Sequence, residues 1–175
     1  MTSYRSQDFT SPRELDELVT ETIARTEKLG PEGVEVAASV GNGLSVTVRA
    51  GKRERIEHQQ GKSLAITVFQ QGRKGTATTS DFSRAALDET IAAAKRISDY
   101  AEPDRYAGLA EIEFLASDIE DLGLDCPWEI DTESAIKLAL ECEAAALEAV
   151  TGIKQSDGCD VSRHRGTRAY GNSNG

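Results

Sequence analysis

The sequence predicts an α+β fold, a two-layer sandwich in which two or three helices pack on one face of an antiparallel β-meander. Two observations predict it. Short apolar segments of alternating pattern are separated only by brief glycine-containing stretches, and short turns join antiparallel neighbours. Segments with helical apolar spacing lie before and after this series, each with a single stripe suited to packing on a sheet.

The first helix is predicted over about residues 12–29. Ser11-Pro12-Arg13-Glu14 has the form of a capping box with proline at the first helical position. Apolar and threonine side chains then recur at 3.6-type spacing from Leu15 to Thr26. Gly30-Pro31 ends the helix, because a glycine and a proline together stop helical hydrogen bonding.

About five strands are predicted between residues 34 and 79. Gly41-Asn42-Gly43, Ala50-Gly51-Lys52 and Gly61 are interpreted as turns between them. One strand is polar and has Ile56 as its only strongly apolar residue, so we expect it at a sheet edge or with one wet face. The predicted strands are Val34–Val40, Leu44–Arg49, Arg53–Gln59, Leu64–Val68 and Gly75–Thr79.

Two further helices and two strand-like pieces follow. Ser83 is predicted to cap a helix over about 84–98, and Asp131 to cap one over about 132–150. Strand-like pieces are expected at 153–161 and 164–170. The predicted buried stripes are Leu87, Ile91 and Ile97 on the first of these helices, and Ile136, Leu140, Ala144 and Leu147 on the second.

The segment Tyr100–Ile130 has neither pattern and is rich in acidic residues. A loop of this length in a compact domain is uncommon and is often functional or wrapped over a surface. Its apolar residues are predicted to anchor it. They are Phe114, Leu115, Ile119, Leu122, Leu124 and Trp128.

Composition limits the possible classes of protein. The 175 residues suffice for one domain with a sizeable core, which we place at 1–175. A net charge of −10 argues against nucleic acid as a partner. No apolar run approaches the length of a membrane helix. The three cysteines, Cys126, Cys142 and Cys159, are odd in number and widely spaced, which indicates reduced thiols in a cytoplasmic protein.

The residues alone assign no catalytic group and no metal ligand. A zinc protease needs histidine and carboxylate ligands at helical spacing. The two histidines, His58 and His164, are far apart on strand-like segments, and neither has a second histidine four residues later. The chain also lacks the Gly-x-Ser-x-Gly elbow of serine hydrolases. We therefore expect no catalytic residue, no metal site and no cofactor in this chain.

Three strings carry a family resemblance: residues 73–83 (RKGTATTSDFS), 100–110 (YAEPDRYAGLA) and 170–175 (YGNSNG). In this order, and with the predicted order of elements, they resemble the TldD/TldE metalloproteases, in which TldE is also called PmbA. The second string is more similar to the TldE/PmbA branch.

The resemblance implies a fragment of a longer cytoplasmic protein, with 1–175 as its N-terminal domain and the C-terminal domain absent. In the family, TldD carries a His-Glu-x-x-x-His zinc motif beyond the equivalent of residue 175. TldE lacks a working zinc site and pairs with TldD. Together they degrade unfolded or flexible peptides, and the family also bears the older name of DNA gyrase modulators. Zinc is therefore expected only in a TldD-like catalytic partner.

Two functions remain open. The first is a non-catalytic domain of a heterodimeric peptidase, inactive alone, that serves subunit pairing and admits unfolded peptides. For that role Arg55 and Glu57 are the candidate edge contacts, and Tyr106 and Trp128 the candidate partner anchors. The alternative is a free-standing binding protein for a gyrase-related or nucleic-acid partner, without protease activity. The strand of Arg55 can also be a simple wet outer strand.

Overall fold

A computed structural model describes residues 11–116 and 120–175. This part of the chain forms a four-stranded antiparallel sheet of order β3-β2-β1-β4 with three α-helices, which confirms the predicted α+β class. The elements are α1 (Pro12–Glu27), β1 (Gly33–Arg49), β2 (Lys52–Gln70), β3 (Arg73–Thr79), α2 (Arg84–Tyr100), a 3-10 helix at Ile112–Phe114, α3 (Thr132–Ala149) and β4 (Cys159–Asn172).

The strands are fewer and longer than predicted. β1 runs straight through Gly41-Asn42-Gly43 and β2 through Gly61, so these predicted turns were wrong. Glycine permits a turn but does not impose one, and pairing with a neighbouring strand keeps these glycines extended. The turn predicted at Ala50-Gly51-Lys52 is confirmed, and a second hairpin turn lies at Gln71-Gly72. In Ala50-Gly51 and in Gln71-Gly72 both residues have positive φ (52° and 69°, 51° and 67°), as two-residue hairpins of type I′ require.

β4 is also one strand where two pieces were predicted. It runs unbroken from residue 159 to 172, and residues 153–158 lie outside it. Polar residues Ser162 and Arg163 lie between the two predicted pieces. Side chains on a strand with one wet face alternate in burial, so polar residues there do not interrupt the pairing.

Contacts divide the chain into two compact units. Of the described residues, the first contains 11–40, 61–116, 120 and 166–175, and the second contains 41–60 and 121–165. β1, β2 and β4 each contribute residues to both units. That residues 1–175 form a single domain stays a prediction.

The core of the first unit lies between the sheet and helices α1 and α2. Ser11 caps α1 with the predicted capping box: its Oγ accepts from the Glu14 N–H at 3.2 Å, and its own N–H donates to Glu14 Oε2 at 2.6 Å. Arg25 of α1 pairs with Asp88 of α2. The buried apolar cluster comprises Leu15, Val19, Val34, Val36, Ala38, Val40, Leu64, Ile66, Val68, Leu87, Ile91, Ala94 and Ala169.

Helix α2 approaches β3 backbone to backbone at Gly75. Any Cβ at this position would overlap the carbonyl oxygen of Ala94 and the amide nitrogen of Ser98, both on α2. Close approach requires small residues on the inner face of the helix, so Ala94 and Ser98 are fully buried. The same orientation turns Ile97 outwards, where it is 46% exposed, so its predicted burial was wrong.

In the second unit, α3 packs on Leu44, Val46 and Val48 of β1. Its buried positions are Ala135, Ala139 and Glu143. The prediction therefore assigned the wrong residues to the buried face of α3. The small alanines face the sheet, and the larger apolar residues lie beside them on the helix surface. Of that predicted stripe, Ile136, Leu140 and Leu147 are half-buried and Ala144 is exposed.

Most predicted anchors of the 100–130 segment do not anchor it. Phe114, Leu122, Leu124 and Trp128 are exposed and Leu115 is half-buried, whereas Ile119 lies outside the described residues. These four exposed apolar side chains are thus left uncovered, Phe114 in the first unit and the other three in the second. Among the helices described, none has the length and apolar character to cross a membrane.

We predict that Ile91→Asp unfolds the first unit, because its 4% exposed side chain would place an unpaired charge in a packed layer. A loss of about 4 kcal/mol or more in the free energy of unfolding is expected. Ile97→Asp on the same helix is the matched control and should change it by less than about 1 kcal/mol. Urea denaturation followed by circular dichroism measures both. Equal stability of the two variants would contradict the packing of α2.

Candidate functional site

The first of the three strings, residues 73–83, forms a tightly connected passage from β3 to α2. The Asp81 N–H donates to Thr79 Oγ1 at 3.0 Å, and the Ser83 N–H donates to Asp81 Oδ1 at 2.8 Å. Ser83 Oγ in turn accepts from the Ala86 N–H at 3.4 Å and caps the helix. The bonds from Ser83 lower the pKa of Asp81, because they favour its ionised form.

The second string follows α2 and is tied to the turn between β2 and β3. Arg73 Nη1 donates to the Asp99 carbonyl at 2.8 Å, and the Asp104 N–H donates to the Gly72 carbonyl at 2.6 Å. The Tyr106 N–H donates to Asp104 Oδ1 at 2.9 Å. We call residues 100–110 the strap. Its backbone is fixed to the sheet by hydrogen bonds, not by a buried apolar side chain at Tyr106.

The third string meets both β1 and the strap. The Ser173 N–H donates to the Val34 carbonyl at 2.9 Å, and the Val34 N–H donates to Ser173 Oγ at 3.1 Å. Asn174 Nδ2 donates to the carbonyl of Ala110, the last strap residue, at 3.1 Å. Strings separated by many residues in the chain therefore lie together in the first unit. The strap itself is held by the Gly72 carbonyl and by Asn174 of the third string.

Arg55 and Glu57, the predicted edge contacts, lie on the first half of β2. Their side chains form an ion pair with Arg55 Nη1 3.4 Å from Glu57 Oε1; Arg55 is exposed and Glu57 is half-buried. β3 pairs with β2 from Leu64 to Gln70. Among the described residues, Arg53–Gln59 thus has a strand neighbour on one side, β1, and lies at a sheet edge as predicted. Peptide contact at Arg55 and Glu57 stays a prediction.

Tyr106 and Trp128, the predicted partner anchors, are 76% and 48% exposed. The guanidinium of Arg105 stacks over the Tyr106 ring, 4.5 Å from its centre. Tyr106 belongs to the first unit, whereas Trp128 belongs to the second together with Arg55 and Glu57. Both rings offer apolar surface to a partner. That they contact one stays a prediction.

Sequence reasoning missed Glu143, a buried carboxylate of α3. Its oxygens accept the N–H groups of Ala50 at 2.9 Å and Gly51 at 2.8 Å, the two residues of the β1–β2 turn. Ser156 also donates its hydroxyl to this carboxylate. The Ser156 bond first, and the Gly51 and Ala50 bonds with it, lower the pKa of Glu143 against the opposing effect of burial.

The sequence contains a signal for the burial of Glu143. Glu143 follows Ala135 and Ala139 at intervals of four, so all three share one helix face. If the small residues Ala135 and Ala139 form the buried face, Glu143 is buried with them. A buried carboxylate needs hydrogen-bond donors, because its burial without them is costly. The nearest donors are the otherwise unpaired N–H groups of a hairpin turn.

Residues 11–116 and 120–175 contain no candidate metal site. In those ranges, no three or more His, Cys, Asp and Glu side chains are grouped so that they could hold a metal ion. The family resemblance implies zinc only in a TldD-like catalytic partner. That expectation stays a prediction.

Two family models match the chain. "PmbA/TldA metallopeptidase domain 1" matches residues 34–98, and "PmbA/TldA metallopeptidase central domain" matches residues 125–175. The two ranges together cover more than half of the sequence. The chain belongs to the PmbA/TldD metallopeptidase family. The predicted family resemblance is confirmed.

Curated relatives point to the PmbA branch of the PmbA/TldD family, as predicted. Metalloprotease PmbA of Escherichia coli O157:H7 is 42% identical over 144 residues, which is 82% of this chain and 32% of that protein. The Metalloprotease PmbA homolog of Haemophilus influenzae is 37% identical over 163 residues, 93% of this chain and 36% of the relative. The chain thus spans about a third of the length of these relatives.

Solved structures share the fold. TldE from Thermococcus kodakarensis superposes with a TM-score of 0.72 at 17% identity, over 90% of this chain and 35% of that one. A putative modulator of DNA gyrase from Bacteroides thetaiotaomicron superposes with a TM-score of 0.69 at 18% identity, over 95% and 38% of the two chains. At these identities the likeness concerns the fold alone.

We predict that Gly75→Ala, in the first PmbA/TldD string, destabilises the chain by about 1–3 kcal/mol, because the added methyl group forces the α2 backbone away from β3. Gly61→Ala is the matched control. It lies within β2 with no atom within 4 Å of the added carbon, so it should be neutral or slightly stabilising. Urea denaturation compares them. A neutral Gly75→Ala would contradict the close approach of α2.

We predict that Glu143→Gln lowers Tm at neutral pH, because an amide cannot accept from both turn N–H groups and the Ser156 hydroxyl. The lowered pKa of Glu143 means that its stabilisation is present above the unfolded value of 4.5 and is lost as pH falls through the folded one. The Tm difference from wild type should therefore shrink below pH 4.5.

Glu148→Gln, an exposed position on the same helix, is the matched control and should leave Tm unchanged. Thermal unfolding by circular dichroism from pH 7 down to pH 3 makes the comparison. A Tm difference between wild type and Glu143→Gln that is independent of pH would contradict the ionised role of Glu143.

Proposed function

We propose that this chain is part of the non-catalytic, PmbA-type subunit of a two-subunit cytoplasmic zinc metalloprotease that degrades unfolded or flexible peptides. In that assembly the chain serves subunit pairing and peptide access, and the zinc belongs to a TldD-type partner. Membership of the PmbA/TldD family supports the assembly. The observation that carries the role of this chain is the open edge of β2.

The open edge suits substrates without a common sequence. Unfolded peptides share a backbone but no common side chains, so a strand edge can bind many of them through main-chain hydrogen bonds. Over Arg53–Gln59 the side away from β1 has no described strand against it. Charges of both signs along this strand, with the Arg55–Glu57 ion pair among them, discourage pairing of two copies while leaving the backbone available.

Pairing with a catalytic subunit is the role proposed for the 100–130 segment. Its described residues expose several large apolar side chains that their own unit does not cover: Tyr100, Tyr106, Ile112, Phe114, Leu122, Leu124 and Trp128. Exposed apolar surface framed by charged residues is typical of protein interfaces, and aromatic residues often dominate their binding energy. The hydrogen-bonded strap presents Tyr106 on a fixed backbone, which reduces the ordering cost of binding.

A free-standing binding protein is the second candidate. One solved structure of the same fold is titled a putative modulator of DNA gyrase. A net charge of −10 opposes direct binding to a polyanion such as DNA, so a protein partner fits this alternative better. If the protein that carries this chain does not bind a TldD-type subunit, the free-standing binding protein is favoured.

The edge is tested in a full-length PmbA-type protein that carries this chain, assembled with a TldD-type subunit. We predict that proline at Arg55 and Glu57 lowers peptide cleavage about tenfold or more, if the removed N–H groups face the open edge. Successive N–H groups of a strand point to opposite sides, so proline at Glu54 and Ile56 is the matched pair. Cleavage of an unstructured peptide and Tm are measured for all four variants.

The variant pair that keeps the wild-type Tm removes the edge donors, whereas the other pair breaks hydrogen bonds to β1. Reduced cleavage in the Tm-neutral pair supports the edge. Wild-type cleavage in that pair would leave this strand without a role in peptide binding.

Pairing is tested in the same assembly. We predict that Tyr106→Ala and Trp128→Ala each weaken binding to the TldD-type subunit about tenfold or more, as expected for buried aromatic anchors. Leu29→Ala is the matched control, because Leu29 is comparably exposed but lies at the end of α1. Sedimentation measures the affinity. Unchanged affinity in both aromatic variants would contradict a pairing role.

A further inference from the structure

Two cysteines of the second unit are brought together by contacts that fix the start of β4 to α3. Cys142 lies on α3 immediately before Glu143, and Cys159 is the first residue of β4. Ser156 donates its hydroxyl to the Glu143 carboxylate, and the Gly158 N–H donates to Ser156 Oγ at 3.1 Å. This chain of hydrogen bonds places the residues just before Cys159 against the helical turn that carries Cys142.

Packing brings the Cys159 side chain against the cluster that includes α3, the helix that carries Cys142. Cys159 is half-buried against the cluster that contains Ala135 and Ala139 of α3. Cys142 follows Ala139 by three residues, which places it on the adjoining face of the same helix. The Cys142 thiol is close enough to the Cys159 thiol to raise the pKa of Cys159, and no disulfide joins the two cysteines.

We propose that Cys142 and Cys159 are a modification site, a dithiol that hydrogen peroxide converts into an intramolecular disulfide. The wide spacing of the three cysteines in the sequence predicts reduced thiols. The fold instead makes two of them neighbours, and Cys142 is open to solvent.

The reaction balances with one peroxide. The Cys142 thiolate attacks an oxygen of hydrogen peroxide, the O–O bond breaks, and a sulfenic acid and hydroxide form. The Cys159 sulfur then attacks the sulfenic sulfur, releasing its own proton and a hydroxide that combine as water. Two thiols and one peroxide thus give one disulfide and two waters, with both sulfurs oxidised and the peroxide reduced.

The two cysteines have different parts in this sequence. Burial first, then the hydrogen bond and charge of Cys142 and the nearby Asp160 and Glu143, raise the pKa of Cys159. Cys159 therefore stays protonated and shielded from the oxidant. The exposed Cys142 meets peroxide first, and Cys159 is positioned to resolve the sulfenic acid.

The disulfide would lock α3 to β4 and hold Ser156 beside Glu143. It closes the loop from residue 142 to 159, which restricts the unfolded chain. We expect Tm to rise by roughly 5 °C on oxidation and to return on reduction with a thiol reagent.

The test uses Cys126→Ser, which removes the third cysteine and leaves the pair as the only thiols in the sequence. After one equivalent or a small excess of hydrogen peroxide, we expect free thiols to fall from two to none and the mass to decrease by two hydrogens. Peptide mapping without reductant should join the Cys142 and Cys159 peptides. Cys126→Ser/Cys142→Ser is the matched control and should keep its remaining thiol under the same treatment.

A second probe tests proximity without oxidation. Phenylarsine oxide bridges two adjacent thiols with release of water, so it should bind Cys126→Ser one to one and not bind the double variant stably. Oxygen addition at Cys142 without a cross-link, or two thiols that survive peroxide, would overturn the proposal. Failure to bind the arsenical would overturn it as well. None of these outcomes bears on the proposed pairing and peptide access.

Discussion

The packing of the first unit depends on the contact between the backbone of α2 and β3 at Gly75. A hydrogen atom at this position lets the helix lie directly on the strand, and the inner face of α2 must then be small at Ala94 and Ser98. The helix position fixes where its last turn ends, and the strap starts there. The strap is bonded to Gly72, three residues before the same glycine. The absence of a side chain at Gly75 thus determines how close α2 lies to β3. The strap that follows α2 is in turn bonded to the β2–β3 turn.

A difference in strand length creates the proposed binding surface. β3 has seven residues and β2 has nineteen, so β3 covers only the last seven residues of its neighbour, Leu64–Gln70. Within the uncovered part, Arg53–Gln59 is polar and charged, as the edge strands of natural proteins commonly are. A hydrophobic strand of this length would invite self-association. The charged strand keeps main-chain groups available to a partner in extended conformation.

The sequence predicted local structure well and long-range geometry incompletely. Caps at Ser11, Ser83 and Asp131 located all three helix starts, because capping is decided by neighbouring residues. The turn predicted at Gly61 was wrong, because whether the backbone turns or stays extended at a glycine depends on pairing with the neighbouring strand. The same holds for Ile97 and Glu143, whose burial is set by the direction from which a helix meets the sheet. The neighbouring thiols of Cys142 and Cys159 are long-range in the same sense.

Amide hydrogen exchange over β2 tests the central claim most directly. The measurement uses the assembled full-length protein, with its catalytic subunit inactivated, in the absence and presence of an unstructured substrate peptide. The account predicts that alternate amides within Arg53–Gln59 exchange more slowly when peptide is bound, because they acquire main-chain acceptors. Unchanged exchange across Arg53–Gln59 while the peptide is demonstrably bound would contradict it.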